Sequence, residues 1–246
     1  ILRAVRPIDT QFNGTYVVAV QPNVPMDGLT FEKYQRLLKR HVELAEQKLA
    51  ERTDDRPTLV VFPESPMLFQ YGDDEKLREF LRQFAERNKT AVLFNSAEAS
   101  PDGKQLMNSA LMINDTGAKV GQYDKIFLLP FGEFIPFPEP VASWMPAFVG
   151  NFKKGNEYDL LPVGDAKAGV MICFESHFGG LSNEYARNGA DLLIEMTNDG
   201  YLGKTAVLRQ HLANSVFRAV ETNRPLLRVT NVGVTAYIDR DGTVSD

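Results

Sequence analysis

Ala168-Gly169-Val170-Met171-Ile172-Cys173-Phe174-Glu175-Ser176-His177 is an apolar run of strand length that stops at the only cysteine in the 246-residue chain and gives way to polar side chains. A short continuous apolar run is the pattern of a strand buried on both faces, which points to a parallel sheet covered by helices. The lone cysteine has no intramolecular disulfide partner, so its chemistry is that of a thiol. Position alone does not decide whether it reacts, because free cysteines are among the most buried residues and commonly serve as small hydrophobes.

The same pattern occurs earlier in the chain. Thr58-Leu59-Val60-Val61-Phe62 ends abruptly at Pro63-Glu64. Open α/β sheets bind ligands beyond the carboxyl ends of their strands, so Glu64 and Cys173 can reach one crevice. Lys125, after Gly121-Gln122-Tyr123-Asp124, adds a cation. A carboxylate, an ammonium and a thiol suffice for acyl transfer without a metal.

Outward from these runs, strands alternate with helix-period segments. Tyr16 to Val20 reads as a strand, followed by a helix over 30–50 with Thr30 at its N-cap and a stripe of Phe31, Tyr34, Leu37, Leu38, Val42, Ala45 and Leu49. Asp73-Asp74 opens a second helix, Ala91 to Asn95 is a strand, and Leu106–Ile113 with Lys119–Tyr123 form a hairpin around Asn114-Asp115-Thr116-Gly117. A long irregular stretch, rich in aromatic and aliphatic residues, then runs from Lys125 to about Asn156. After the Cys173 strand come a helix over 178–188, a strand at 191–195, a helix over 205–222 and strands at 226–230 and 234–238. This rhythm implies one α/β domain over 16–246, with residues 1–15 as a lead-in. The two ends look like cuts in a longer polypeptide.

Charge excludes one class of partner. The balance of 27 basic and 32 acidic residues gives −5, and no Lys/Arg block forms a phosphate-binding stripe, which argues against nucleic acid. His41, His177 and His211 are dispersed without metal-ligand spacing, so neither a metal nor a cofactor is expected.

Phe62-Pro63-Glu64, the Lys125 segment and Ile172-Cys173-Phe174-Glu175 stand in the order and at the separations found in the nitrilase superfamily. Within it the chain resembles the catalytic domain of the apolipoprotein N-acyltransferases. That resemblance is carried by Gln21-Pro22-Asn23, Tyr123-Asp124-Lys125, Leu129-Pro130-Phe131-Gly132-Glu133-Phe134-Ile135-Pro136, Asn198 to Gly203, His211, Arg218 to Pro225 and Asn231 to Ala236. It spans nearly everything from Tyr16 onward. Departures are Phe174 where the family usually has Tyr, Tyr201-Leu202-Gly203 where it has Trp-Phe-Gly, and no Trp after the Gln-x-Asn segment. These positions bear on acyl preference.

The resemblance implies an α-β-β-α sandwich and a Glu-Lys-Cys triad: Cys173 as nucleophile, Glu64 as general base and Lys125 at the developing oxyanion. Glu133 would hold Lys125 by a charged hydrogen bond, and Glu175 would give similar support. Phe134, Trp144, Phe148, Phe174 and Tyr201 would line the substrate site. A phospholipid would donate the acyl group and the N-terminal amine of a diacylglyceryl-modified lipoprotein would accept it. The setting implied is the bacterial inner membrane, with this domain facing the periplasm and the membrane helices outside this chain.

Other readings of the residues stay open. Glu133 could merely cap a turn, Glu175 could pair with Arg218 or Arg224, and His177 near Cys173 permits a papain-like Cys-His pair. A soluble amidase or nitrile hydrolase acting on a small amide, or a binding domain without catalysis, would use the same fold. The apolar loop favours a lipid substrate, since a small polar amide needs no such surface. Deleting 144–149 is expected to weaken co-sedimentation with liposomes, and unchanged binding would remove the lipid-facing role of that tip.

Overall fold

The computed structural model describes residues 14–24, 31–64, 69–136, 152–203 and 205–245. Residues 1–13 of the expected lead-in over 1–15, the Thr30 cap, and Trp144 and Phe148 lie outside these residues. Two sheets form the centre. In the first, β1 (Tyr16–Ala19), β2 (Thr58–Val61) and β3 (Ala91–Ala99) are parallel, and β4 (Leu106–Ile113) and β5 (Lys119–Asp124) continue it antiparallel.

The second sheet repeats this plan. Its edge strand β6 (Leu160–Val163) is antiparallel to β7 (Ala166–Ile172), which is parallel to β8 (Leu192–Thr197) and β9 (Leu226–Thr230). Strands β10 (Ala236–Ile238) and β11 (Val244–Ser245) close the far edge. Four helices, α1 (Phe31–Leu49), α2 (Glu75–Asn88), α3 (Gly179–Arg187) and α4 (Val207–Thr222), complete the layers.

Side-chain alternation sorts the strands into two cores. Val60, Val92, Phe94, Leu111 and Ile113 join Val42 and Ala45 of α1 and Leu77, Leu81 and Phe84 of α2 in one cluster. Their neighbours Leu59, Val61, Leu93, Ala110 and Met112 face the other way, into a cluster shared with Val170, Ile194 and Val229 of the second sheet and with Leu181, Tyr185 and Ala219 of α3 and α4. Burial on both faces is why β2 and β7 read as unbroken apolar runs. The expected α-β-β-α sandwich is the observed one.

Local signals worked where they were chemical. Asp74 caps α2, accepting from the Leu77 N–H at 3.0 Å. Differences arise where polar residues are buried. Strand β3 runs on to Ala99 because Asn95 and Ser96 find partners inside: Asn95 Nδ2 donates to Asn108 Oδ1 at 2.7 Å, and Ser96 Oγ to the Phe69 carbonyl at 3.0 Å. Strand β6 was not expected because it contains Pro162, which a sheet tolerates only at an edge, where β6 lies.

Both catalytic candidates therefore follow the carboxyl ends of parallel strands, Glu64 after β2 and Cys173 directly after β7. The approach of α3 to β7 depends on Gly169, where an added Cβ would stand 2.4 Å from Cγ of the fully buried Tyr185. The Tyr185 hydroxyl also donates to the Val170 carbonyl at 2.6 Å, so the ring has little room to retreat. Gly169→Ala is expected to cost about 1–3 kcal/mol of stability through overpacking. Urea unfolding would measure it, and a midpoint equal to the parent's would show that the ring relaxes freely.

Candidate active site

Lys125 is a buried charge held by several partners. It follows β5 while staying paired with β4, its N–H donating to the Asn108 carbonyl at 2.8 Å, and its side chain is fully buried. A buried ammonium is tolerated only when it is paired. Its Nζ lies 2.9 Å from both oxygens of Glu133 and 3.8 Å from Glu64 Oε1. Burial opposes its charge, but Glu64, Cys173 and Glu133 together hold its pKa well above the usual lysine range.

Glu133 serves two purposes. One carboxylate oxygen accepts from the Leu129 N–H at 2.8 Å, closing the turn over 129–133, while the carboxylate as a whole grips Lys125. Glu133 thus makes both a turn contact and a lysine contact. Asn108, which sequence reading passed over, bridges the two acids: its Nδ2 donates to Glu133 Oε1 at 2.7 Å and to Glu64 Oε1 at 3.2 Å. The available signal was a lone amide inside the apolar Leu106-Met107-Asn108-Ser109-Ala110 run.

Cys173 occupies a sharp corner between β7 and a 3₁₀ turn over Cys173–His177, with φ at 54°. A residue other than glycine in this left-handed region carries a strain on the order of 1–3 kcal/mol, typical of functional sites. Glu64 and Thr197, the last residue of β8, are the side chains that with Lys125 act on the thiol. Burial first, then the Glu64 charge, push the thiol pKa up to about 12 against the pull of Lys125 and Thr197. Burial likewise raises the Glu64 carboxyl, offset in part by Lys125. Glu64, Lys125 and Cys173 thus meet in one place.

Glu175 is fully buried and reaches the Lys125 segment through its backbone. It does not touch Lys125 through a hydrogen bond; it accepts from the Ile126 and Phe127 N–H groups at 2.8 and 3.0 Å, from Tyr123 Oη at 2.7 Å and, through Oε2, from the Ile172 N–H at 2.8 Å. It therefore ties the backbone just after Lys125 to the strand that delivers Cys173. Nor does it pair with arginine, since Arg218 binds Glu221 and Arg224 donates to the Ala190 carbonyl.

The papain-like arrangement is not formed. His177 stacks on Phe174, with ring centroids 4.7 Å apart, and its Nδ1 lies 3.1 Å from the Phe174 carbonyl. The histidine that reaches Cys173 is His211, whose Nε2 lies 3.2 Å from the Cys173 carbonyl oxygen. Phe174 is half-buried and also packs edge-on against Phe178, which stacks on Phe127. Leu129 and Phe131 are exposed beside Glu133, and Phe134 is half-buried in the same turn. Tyr201 belongs to a 3₁₀ turn over Asp199–Leu202, and its side chain lies outside the described residues. Among the described residues no group of acids, histidines and cysteine has the arrangement of a metal site.

Beneath Cys173 lies a second set of buried charges. Arg228 binds Glu195 at 2.5 Å and Asp199 at 2.7 Å, while His211 lies 2.8 Å from Asp199 through Nδ1 and 3.2 Å from Glu195 through Nε2. Ser215 donates to the free oxygen of Glu195 at 2.5 Å.

A carbon-nitrogen hydrolase family model matches residues 17–245. This chain belongs to the carbon-nitrogen hydrolase family. Two relatives named apolipoprotein N-acyltransferase show how this hydrolase-family chain compares. The protein from Geobacter metallireducens is 36% identical over 190 residues, 76% of this chain and 36% of its own length. That from Thermotoga maritima is 33% identical over 233 residues, 94% of this chain and 42% of its own. The chain thus spans well under half the length of either relative. Among solved structures, Saccharomyces cerevisiae Nit3, a member of branch 10 of the nitrilase superfamily, matches with a TM-score of 0.69 at 19% identity, covering 93% of this chain and 83% of that one. A carbon-nitrogen hydrolase from Helicobacter pylori G27 matches at 0.68 and 16%, covering 94% and 83%. These two establish the fold.

His211 supplies a pH test. Burial disfavours the charged imidazole, yet the hydrogen bond with Asp199 and then the neighbouring Glu195 carboxylate outweigh it and push its pKa up to about 9. The folded pKa lies above the ordinary value of about 6.5. The stability this proton contributes is therefore full below about pH 6.5 and lost as pH rises through about 9. Urea midpoints between pH 6 and 10 are expected to fall more steeply for the parent than for His211→Gln; parallel profiles would show that His211 is not charged.

Proposed function

We propose that this domain transfers a fatty acyl group from a phospholipid to the N-terminal amine of a diacylglyceryl-modified lipoprotein, through a thioester on Cys173. The observation that carries the reading is the convergence of Glu64, Lys125 and Cys173 at one corner of the sandwich. Sequence similarity to relatives named apolipoprotein N-acyltransferase supplies the substrate class.

The chemistry follows from the electrostatics. Burial and the Glu64 charge keep the resting thiol protonated, so in this scheme Cys173 loses its proton during attack rather than beforehand. Glu64 accepts that proton as the sulfur bonds to the ester carbonyl. Negative charge then grows on the carbonyl oxygen, where Lys125 and a backbone N–H of the corner at Cys173 stabilise it. The carbon-oxygen bond breaks, and Glu64 returns the proton to the departing lysophospholipid. In the second half the amine attacks the thioester, Glu64 takes the amine proton and returns it to the sulfur as the carbon-sulfur bond breaks.

Glu133 and Glu175 act as supports in this scheme, one on the lysine side chain and the other on the backbone behind it. Phe134 and Phe174, with Trp144, Phe148 and Tyr201, would contact the acyl donor. The exposed Leu129 and Phe131 beside Glu133 suit contact with a membrane surface. No described helix is long and apolar enough to cross a membrane. The setting that fits the proposed substrates is the bacterial inner membrane, with the domain on the periplasmic side.

Intact-mass measurement after incubation with phospholipid in detergent tests the proposal. The expected result is a fatty-acyl increment that hydroxylamine removes and that Cys173→Ala abolishes. Adducts formed only with small amides would replace this reading with an amidase.

A further inference from the structure

The charges beneath Cys173 have no part in the proton transfers proposed above, yet they are among the most deeply buried polar groups of the second sheet. Arg228 and Glu195 are fully buried, and Asp199 and His211 nearly so. They come from four elements, β8, β9, α4 and the turn over 199–202, and their two cations and two carboxylates balance. Gly233 makes room for them, since a Cβ there would stand 2.5 Å from Asp199 Oδ2.

Two contacts lead from this group to Cys173. His211 Nε2 lies 3.2 Å from the Cys173 carbonyl, at the same distance as from Glu195. On the sulfur side, Thr197 acts on the thiol and its hydroxyl lies 3.4 Å from the Asp199 oxygen that His211 Nδ1 also approaches. Asp199 therefore governs the orientation of both side chains that touch Cys173 from below. With Nδ1–H directed at Asp199, a second proton on Nε2 is required for His211 to donate to the carbonyl.

We infer that His211 is a positioning residue: its Nε2–H, aimed by Asp199 and Glu195 under Arg228, holds the Cys173 carbonyl and so keeps the left-handed corner that points the sulfur at Glu64. This rests on the proposed role of Cys173 as nucleophile. A peptide rotated out of that corner would carry Sγ away from the carboxylate that must take its proton. The group acts on the alignment of the thiol, not on the acyl chain, so its loss should appear in the rate of acylation and not in substrate affinity.

The test compares the parent with His211→Gln, Asp199→Asn and Cys173→Ala. Thermal melting gives the folded fraction, intact mass follows iodoacetamide alkylation of the single cysteine, and acyl-enzyme formation from detergent-solubilised phospholipid gives kcat and KM. Per folded molecule, His211→Gln is expected to lower kcat for acylation at least 10-fold and alkylation at least fivefold, with KM within twofold. Asp199→Asn should show a smaller fall of the same kind, and it decides the matter if His211→Gln does not fold. Parent-like rates in the folded variants beside an inactive Cys173→Ala would overturn the positioning role alone. Acylation retained by Cys173→Ala would overturn the nucleophile and the positioning role together.

Discussion

A fully buried ammonium dictates much of the first sheet's edge. Leaving Lys125 unpaired would cost several kcal/mol, so the chain must bring carboxylates to it. Glu133 does so from a turn eight residues ahead, and Glu64 does so from the end of β2. Two carboxylates side by side then need their own restraint, which Asn108 supplies by donating to both. Asn108 is held in turn by Asn95. Asn95 of β3 is thus part of the support for one cation.

Cys173 lies between this arrangement and another of similar construction. Above it, one ammonium stands between two carboxylates, leaving the vicinity with an excess negative charge. Below it, Arg228 and His211 neutralise Glu195 and Asp199. The balance matters because burying four charges without compensation would outweigh the stability of the domain. It also differs in purpose from the upper group: a neutral, rigid base transmits position, whereas an unbalanced site alters the cost of moving a proton.

The fold was legible in the sequence where burial was two-sided. Leu59-Val60-Val61 and Ala168 to Ile172 are apolar on both faces because each faces another layer, and a run of that kind ends where the layer ends. Glu64 and Cys173 could be singled out for that reason. Glu133 was legible through resemblance, but its grip on the Leu129 N–H was not. Asn108, Thr197, Glu195 and Arg228 escaped because their meaning depends on partners 13 to 44 residues away or on another strand, as in the Asn108 contact with Glu64. A buried arginine in Leu226-Leu227-Arg228-Val229-Thr230 looks like an ordinary edge-strand charge until β8 and α4 are placed around it. Glu175 shows the same limit: its proximity to Cys173 was plain, but not that it binds the backbone following Lys125.

The high thiol pKa is consistent with acyl transfer rather than a flaw in the site. A resting thiolate would compete with Glu64 and Glu133 for Lys125, and it would be a ready target for oxidation. A neutral thiol beside a carboxylate avoids both and postpones charge separation until a carbonyl is present. In the proposed reaction negative charge then moves outward to the carbonyl oxygen, where Lys125, already held by its buried partners, would meet it without reorganisation. Proton transfer over so short a path tolerates little misalignment, which is why the strained corner at Cys173 is anchored from beneath as well as faced from above.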